Sequence, residues 1–131
     1  MNAIDTSVLL YLYDRRDGNR LAQATRTLAG MRDGVLLWQV ACEFLAGARK
    51  LPNFAAGTEW KRLIEIRAIL PLVLPTPTVL DRARHLVSSH QLHFWDAMIF
   101  AACLEAGVTR LYSEDLPGEL IAGLEIVNPF V

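Results

Sequence analysis

Four acidic residues carry most of the chemistry available to this chain: Asp5, Glu43, Asp96 and Asp115. Singly, each has an ordinary explanation. Asp5 and Asp96 stand where helices should begin, and Asp is a preferred N-cap. Asp115 lies in the turn-like stretch "SEDLPG". Glu43 is harder to dismiss, because Val40, Ala41, Cys42, Phe44 and Leu45 around it are apolar and its i+4 position is Gly47. An unpaired buried carboxylate is costly. Brought to one place, the four anions repel each other unless cations neutralise them. No Lys or Arg lies within four residues of Asp5 or Asp96, so a divalent metal is the economical counterion. Oxygen-only ligands suit Mg²⁺ or Mn²⁺ and disfavour zinc. Without metal, at least one of the acids should hold its proton more readily than usual.

Convergence depends on the elements that carry these residues. "MNAID" reads as a short buried strand, and a helix follows with Thr6 or Ser7 as its cap. Gly18 and Asn19 break the chain before a helix from about Arg20 to Arg32. "VLLW" is a second strand and "QVACEFLAGARKL" a helix closed by Pro52. "TEWKRLIEIRAIL" is a helix with an apolar stripe of Trp60, Leu63, Ile64 and Ile66 to Ile69. "LVLP" is a third strand. "TPTVLDRARHLVSSH" and "HFWDAMIFAACLEAG" are helices, the second ending at Gly107. "TRLYS" and "GLEIVNPF" supply the last strands. This alternation predicts a three-layer α/β/α sandwich around a mostly parallel five-stranded sheet. In such a layer, helix N-termini share a rim with strand carboxyl ends. All four acids should therefore meet at one sheet edge, where such folds bind ligands.

The 131 residues fit one domain, 1–131, with one core. No apolar run approaches the roughly 20 residues that cross a bilayer, and the N-terminus has no basic leader. A cytoplasmic protein is expected. Cys42 and Cys103 lie in apolar helical stretches without metal-ligand spacing, which predicts two buried thiols. With 13 basic and 14 acidic residues the net charge is −1, so nucleic acid would be held by a local patch rather than a global field. The 53% hydrophobic content is high for a soluble domain and points to surface covered by a partner or a second copy.

In order along the chain, "IDTSVLLYL", "QVACEFLAG", "FWDAMIFAACLEAG" and "RLYSED" resemble the successive signatures of PIN-domain ribonucleases, most closely the VapC toxins of bacterial toxin–antitoxin pairs. Each motif alone is weak; the ordered set spans the whole chain. The resemblance implies strand order 3-2-1-4-5, with the reversal beside Asp5 and Asp115. It implies that Asp5, Glu43, Asp96 and Asp115 hold Mg²⁺ or Mn²⁺ for hydrolysis of RNA, leaving a 5′-phosphate and a 3′-hydroxyl. Thr6 and Ser113 would hold waters or phosphate oxygens near the metal. It also implies a homodimer and a cognate antitoxin laid across an apolar groove, for which "VLLYLYDRR" and "WKRLIEIRAIL" are the candidate walls. Trp38 and Cys42 depart from the small or polar residues common in the family. Glu114 competes with Asp115 as a ligand, although Ser113-x-Asp115 has the family spacing.

Arg15 and Arg16 are the candidate phosphate patch, set against the usual role of basic residues as solvated surface. His85, His90 and His93 form no metal triad; His93 stands three residues before Asp96, where a capping role also suits it. Two other readings stay open. One is a catalytically inactive PIN-like binding module, and the other a metal-dependent DNA nuclease, since the chemistry makes no use of the 2′-hydroxyl. A haloacid-dehalogenase-type phosphatase would need an Asp-x-Asp pair where this chain has "DTSV".

Overall fold

The computed structural model describes residues 1–52, 54–116 and 121–131. The chain order is β1 (Asn2–Ile4), α1 (Thr6–Tyr11), α2 (Gly18–Gly30), β2 (Gly34–Leu37), α3 (Trp38–Ala48), α4 (Thr58–Ile69), β3 (Leu72–Val73), α5 (Pro77–His90), α6 (Phe94–Ala106), β4 (Arg110–Tyr112) and β5 (Glu125–Val127). The strands form one five-stranded sheet in the order β3-β2-β1-β4-β5, every pair parallel. The steps from β1 to β2 to β3 run one way along the sheet, so right-handed crossovers lay α1 to α4 on one face. The return from β3 to β4 lays α5 and α6 on the other. Strands buried on both faces must be apolar throughout. Ala3, Ile4, Leu36, Leu37 and Leu111 are accordingly almost wholly hidden.

Close packing fixes the site-bearing helices. At Gly47 in α3, a Cβ would lie 3.1 Å from a Leu10 methyl of α1, so the missing side chain lets the two helices approach. Gly107 ends α6 with φ 81°, a left-handed conformation that favours glycine.

Several boundaries differ from the sequence expectation. Of the capping candidates, Asp5 caps α1 and Thr6 and Ser7 do not. Asp17 caps α2 through the Arg20 amide, so Gly18 and Asn19 open that helix instead of breaking the chain. Trp38 starts α3 rather than ending β2. Asp96 is the third residue of α6, inside the helix and not its cap. Cys103 is buried as expected, but Cys42 is exposed because it points off the packed face of α3. The α4 stripe is split as well: Leu63 and Ile66 are buried while Trp60, Ile64 and Ile69 face solvent. In "SEDLPG", Pro117 and Gly118 lie outside the described residues.

Candidate functional site

The site is assembled from the carboxyl ends of β1 and β4. The Asp5 amide still donates to the Tyr112 carbonyl at 2.8 Å, so the sheet sets its backbone. One Asp5 carboxylate oxygen accepts from the Thr6 amide at 2.8 Å and the other from the Ser113 hydroxyl at 2.7 Å. Asp5 is only 8% exposed and Ser113 is fully buried. The same Ser113 Oγ accepts from the amides of Asp115 at 3.2 Å and Leu116 at 3.3 Å, which fixes the start of the loop carrying Asp115.

Glu43 reaches this cluster from the second turn of α3. Its Oε1 accepts from the Thr6 hydroxyl at 2.6 Å, and its Oε2 accepts from the Gln39 amide at 3.3 Å. Gln39 also donates to the Trp95 carbonyl at 3.2 Å, tying α3 to the first turn of α6, where Asp96 sits. Asp96 and Asp115 line one cavity of about 390 Å³ together with His90 and His93.

The electrostatics follow from this crowding. Burial pushes the Asp5 carboxyl above its ordinary range; the bonds from Ser113 and Thr6 oppose that, and the charges of Glu43 and Asp115 add to it. The buried Cys103 thiol is raised too, by burial and by the Asp5 charge. Among the described residues no Lys or Arg forms an ion pair with any of the four acids, whereas Asp14, Asp17 and Glu114 each have an arginine partner. A set of unpaired carboxylates fits a hard divalent cation. Among the described residues the side chains are not closed into a ready-made coordinating group. The oxygens of Asp5 and Glu43 instead hold hydroxyl and amide partners.

Of the four expected acids, Asp5 and Glu43 both bond Thr6, Asp115 is tied by its backbone amide to the Ser113 hydroxyl that donates to Asp5, and Asp96 lines the same cavity as Asp115. Glu114 is separated from its neighbour by an ion pair with Arg20. In the candidate phosphate patch, Arg16 makes a two-pronged contact with Asp14 at 2.9 and 2.8 Å that holds the Asp14 carboxyl below its ordinary range, while Arg15 is exposed. Sequence reasoning missed Gln39, although its place four residues before Glu43 on one helix was a usable signal. Of the proposed groove walls, Val8 and Leu9 are core residues, whereas Trp60, Ile64 and Ile69 are exposed. A separate apolar groove, about 360 Å³, lies among Trp38, Cys42, Leu74, Val79, Trp95 and Met98. Trp38 is 47% exposed and Trp95 65%.

The PIN-domain family model matches residues 3–116, a span that includes all four acids. The chain belongs to the PIN-domain family. Curated proteins yield no sequence match. Solved structures give the PIN fold independent support. A toxin–antitoxin complex from Klebsiella pneumoniae aligns with a TM-score of 0.74 at 19% identity, covering 98% of each chain. VapC20 from Mycobacterium tuberculosis, a toxin that cleaves the sarcin–ricin loop, aligns at 0.71 and 19% identity over 88% of this chain and 90% of that one. FitAcB from Neisseria gonorrhoeae aligns at 0.72 and 17% identity over 99% of both. At these identities the likeness is one of fold. This PIN chain spans nearly the full length of those relatives.

Proposed function

We propose that this PIN domain is a Mg²⁺- or Mn²⁺-dependent endoribonuclease, a VapC-type toxin held in check by a cognate antitoxin. One observation carries the reading: at the switch-point edge of a parallel sheet, Asp5 and Glu43 are both bonded to Thr6, Asp5 is bonded to the Ser113 hydroxyl that also holds the Asp115 backbone amide, and none of the four acids has a basic partner among the described residues. Asp5, Glu43, Asp96 and Asp115 would hold the cation, which when bound lowers the pKa of a water and polarises a phosphoryl oxygen. Asp5 is the centre of the set, its backbone held by the sheet and its carboxylate by Thr6 and Ser113. Glu43 orients its carboxylate through Thr6 and Gln39 and accepts a proton from the attacking water. The exposed Asp115 and half-buried Asp96 face the cavity through which a phosphodiester enters. The fold relatives that are toxin–antitoxin assemblies support an antitoxin partner for this chain; the homodimer is proposed from the family resemblance alone. The groove beside Trp38 and Trp95 suits a partner's apolar segment.

Total RNA incubated with the purified protein tests the reading. Cleavage is expected with Mg²⁺ or Mn²⁺ and not with EDTA, and Asp96→Asn should abolish it. An Asp96→Asn protein that keeps full metal-dependent cleavage would refute the mechanism. A binding-only PIN module, by contrast, would show no tight Mn²⁺ uptake in calorimetry.

A further inference from the structure

Arg20 sits at a junction that the four-acid site does not use. Its guanidinium lies 4.9 Å from the centroid of the Phe130 ring and 5.1 Å from that of Tyr11. Those two rings meet edge to face at 5.1 Å. From this aromatic slot Arg20 pairs with Asp17 at 3.2 Å and with Glu114. Held close to two rings, the guanidinium has little freedom left to lose when it grips a carboxylate.

Glu114 lies between Ser113 and Asp115. The loop leaving β4 is therefore fastened at successive residues: Ser113 to Asp5 on the inside and Glu114 to Arg20 on the outside. Ser113 is held by its amide on the Val127 carbonyl at 2.9 Å and by its hydroxyl on Asp5, but neither bond restrains the Glu114 side chain on the outer side of the loop. The ion pair with Arg20 supplies a second anchor, on the residue next to Asp115. We propose that Arg20 is a positioning residue: gripped by Tyr11 and Phe130, it holds Glu114 and so aims Asp115 at the cation site. The role assigned to Asp115 rests on the metal-nuclease reading above. The fastening itself does not.

Charge sign separates this from a simple field effect. Through space alone, removing the Arg20 cation strengthens cation binding, removing the Glu114 anion weakens it, and removing both nearly cancels. Positioning predicts weakening in all three cases, with the double variant no worse than the single ones because the pair acts as a unit. Mn²⁺ calorimetry on Arg20→Gln, Glu114→Gln and the double variant is expected to show about tenfold weaker binding in each, as is usual when a group that orients a metal ligand is lost. Arg20→Gln binding as tightly as wild type, or tighter, overturns the proposal. Amide hydrogen exchange of the metal-free protein provides an independent arm. The Asp115 and Leu116 amides, which donate to Ser113, should exchange about tenfold faster in Arg20→Gln, with Ile4 and Leu111 unchanged. Unaltered protection at Asp115 and Leu116 also overturns it. If the wild type takes up no Mn²⁺, the nuclease reading falls and the exchange result alone decides the clamp.

Discussion

Asp5 is asked to be both buried and charged, and these demands conflict. Burial and the neighbouring charges of Glu43 and Asp115 raise its pKa in the fold. Over the interval between its unfolded and folded values the native chain therefore binds a proton that the unfolded chain has released. Stability there falls as pH rises. Asp5 contributes fully below the unfolded value and loses that contribution as pH climbs through the folded one. At neutral pH an ionised Asp5 strains the metal-free protein, and a bound cation relieves the strain. Asp5→Asn keeps an oxygen for the Thr6 amide and removes the charge. Metal-free Asp5→Asn should melt above wild type at pH 7, the gap shrinking toward about pH 4, while metal-dependent cleavage is lost. A lower melting temperature at pH 7 would contradict this account. At this scale much was readable from residue types. Glu43 announced itself as a carboxylate among apolar neighbours with glycine at i+4. The bond from Ser113 to Asp5 was not readable, because it joins residues 108 apart and exists only once β1 and β4 pair.

Thr6 and Glu43 meet because α1 and α3 pack closely, and Gly47 permits that approach. Gly47→Val puts branched bulk against Leu10 and should destabilise the protein by about 1–3 kcal/mol, the usual range for overpacking. It should also lengthen the Thr6–Glu43 bond and weaken Mn²⁺ binding. Urea unfolding and calorimetry on one preparation check both; unchanged stability would mean that the helices part without strain. The alternation of strands and helices was legible because the buried strands are short uniform apolar runs and the ends of α5 and α6 carry clear signals in Pro77 and Gly107. Helix faces were less legible. In α4 the apolar residues Trp60 and Ile64 share a side with no covering layer, and pattern alone treats exposed and buried apolar residues alike.

For the whole molecule, charge decides how RNA is held. Of 13 basic residues, five arginines (Arg16, Arg20, Arg62, Arg82 and Arg110) are in ion pairs among the described residues. The others are spread over α2, α4, α5 and the loops after α1, α2 and α3, rather than along one element. With a net charge of −1 there is no broad attractive field. Single-stranded RNA releases counterions in proportion to the phosphates neutralised, with a slope of log affinity against log salt near −0.7 per contact. About three contacts per chain give a slope of about −2. The acidic site itself repels phosphate unless a divalent ion bridges them. Affinity measured in Ca²⁺, to hold the substrate uncut, should therefore show this shallow salt dependence and collapse in EDTA. Arg15→Ala should flatten the slope by just under one unit, since that side chain is exposed and unpaired among the described residues. A slope steeper than about −4, or binding that survives EDTA, would point to a basic surface contributed by a partner or a second copy.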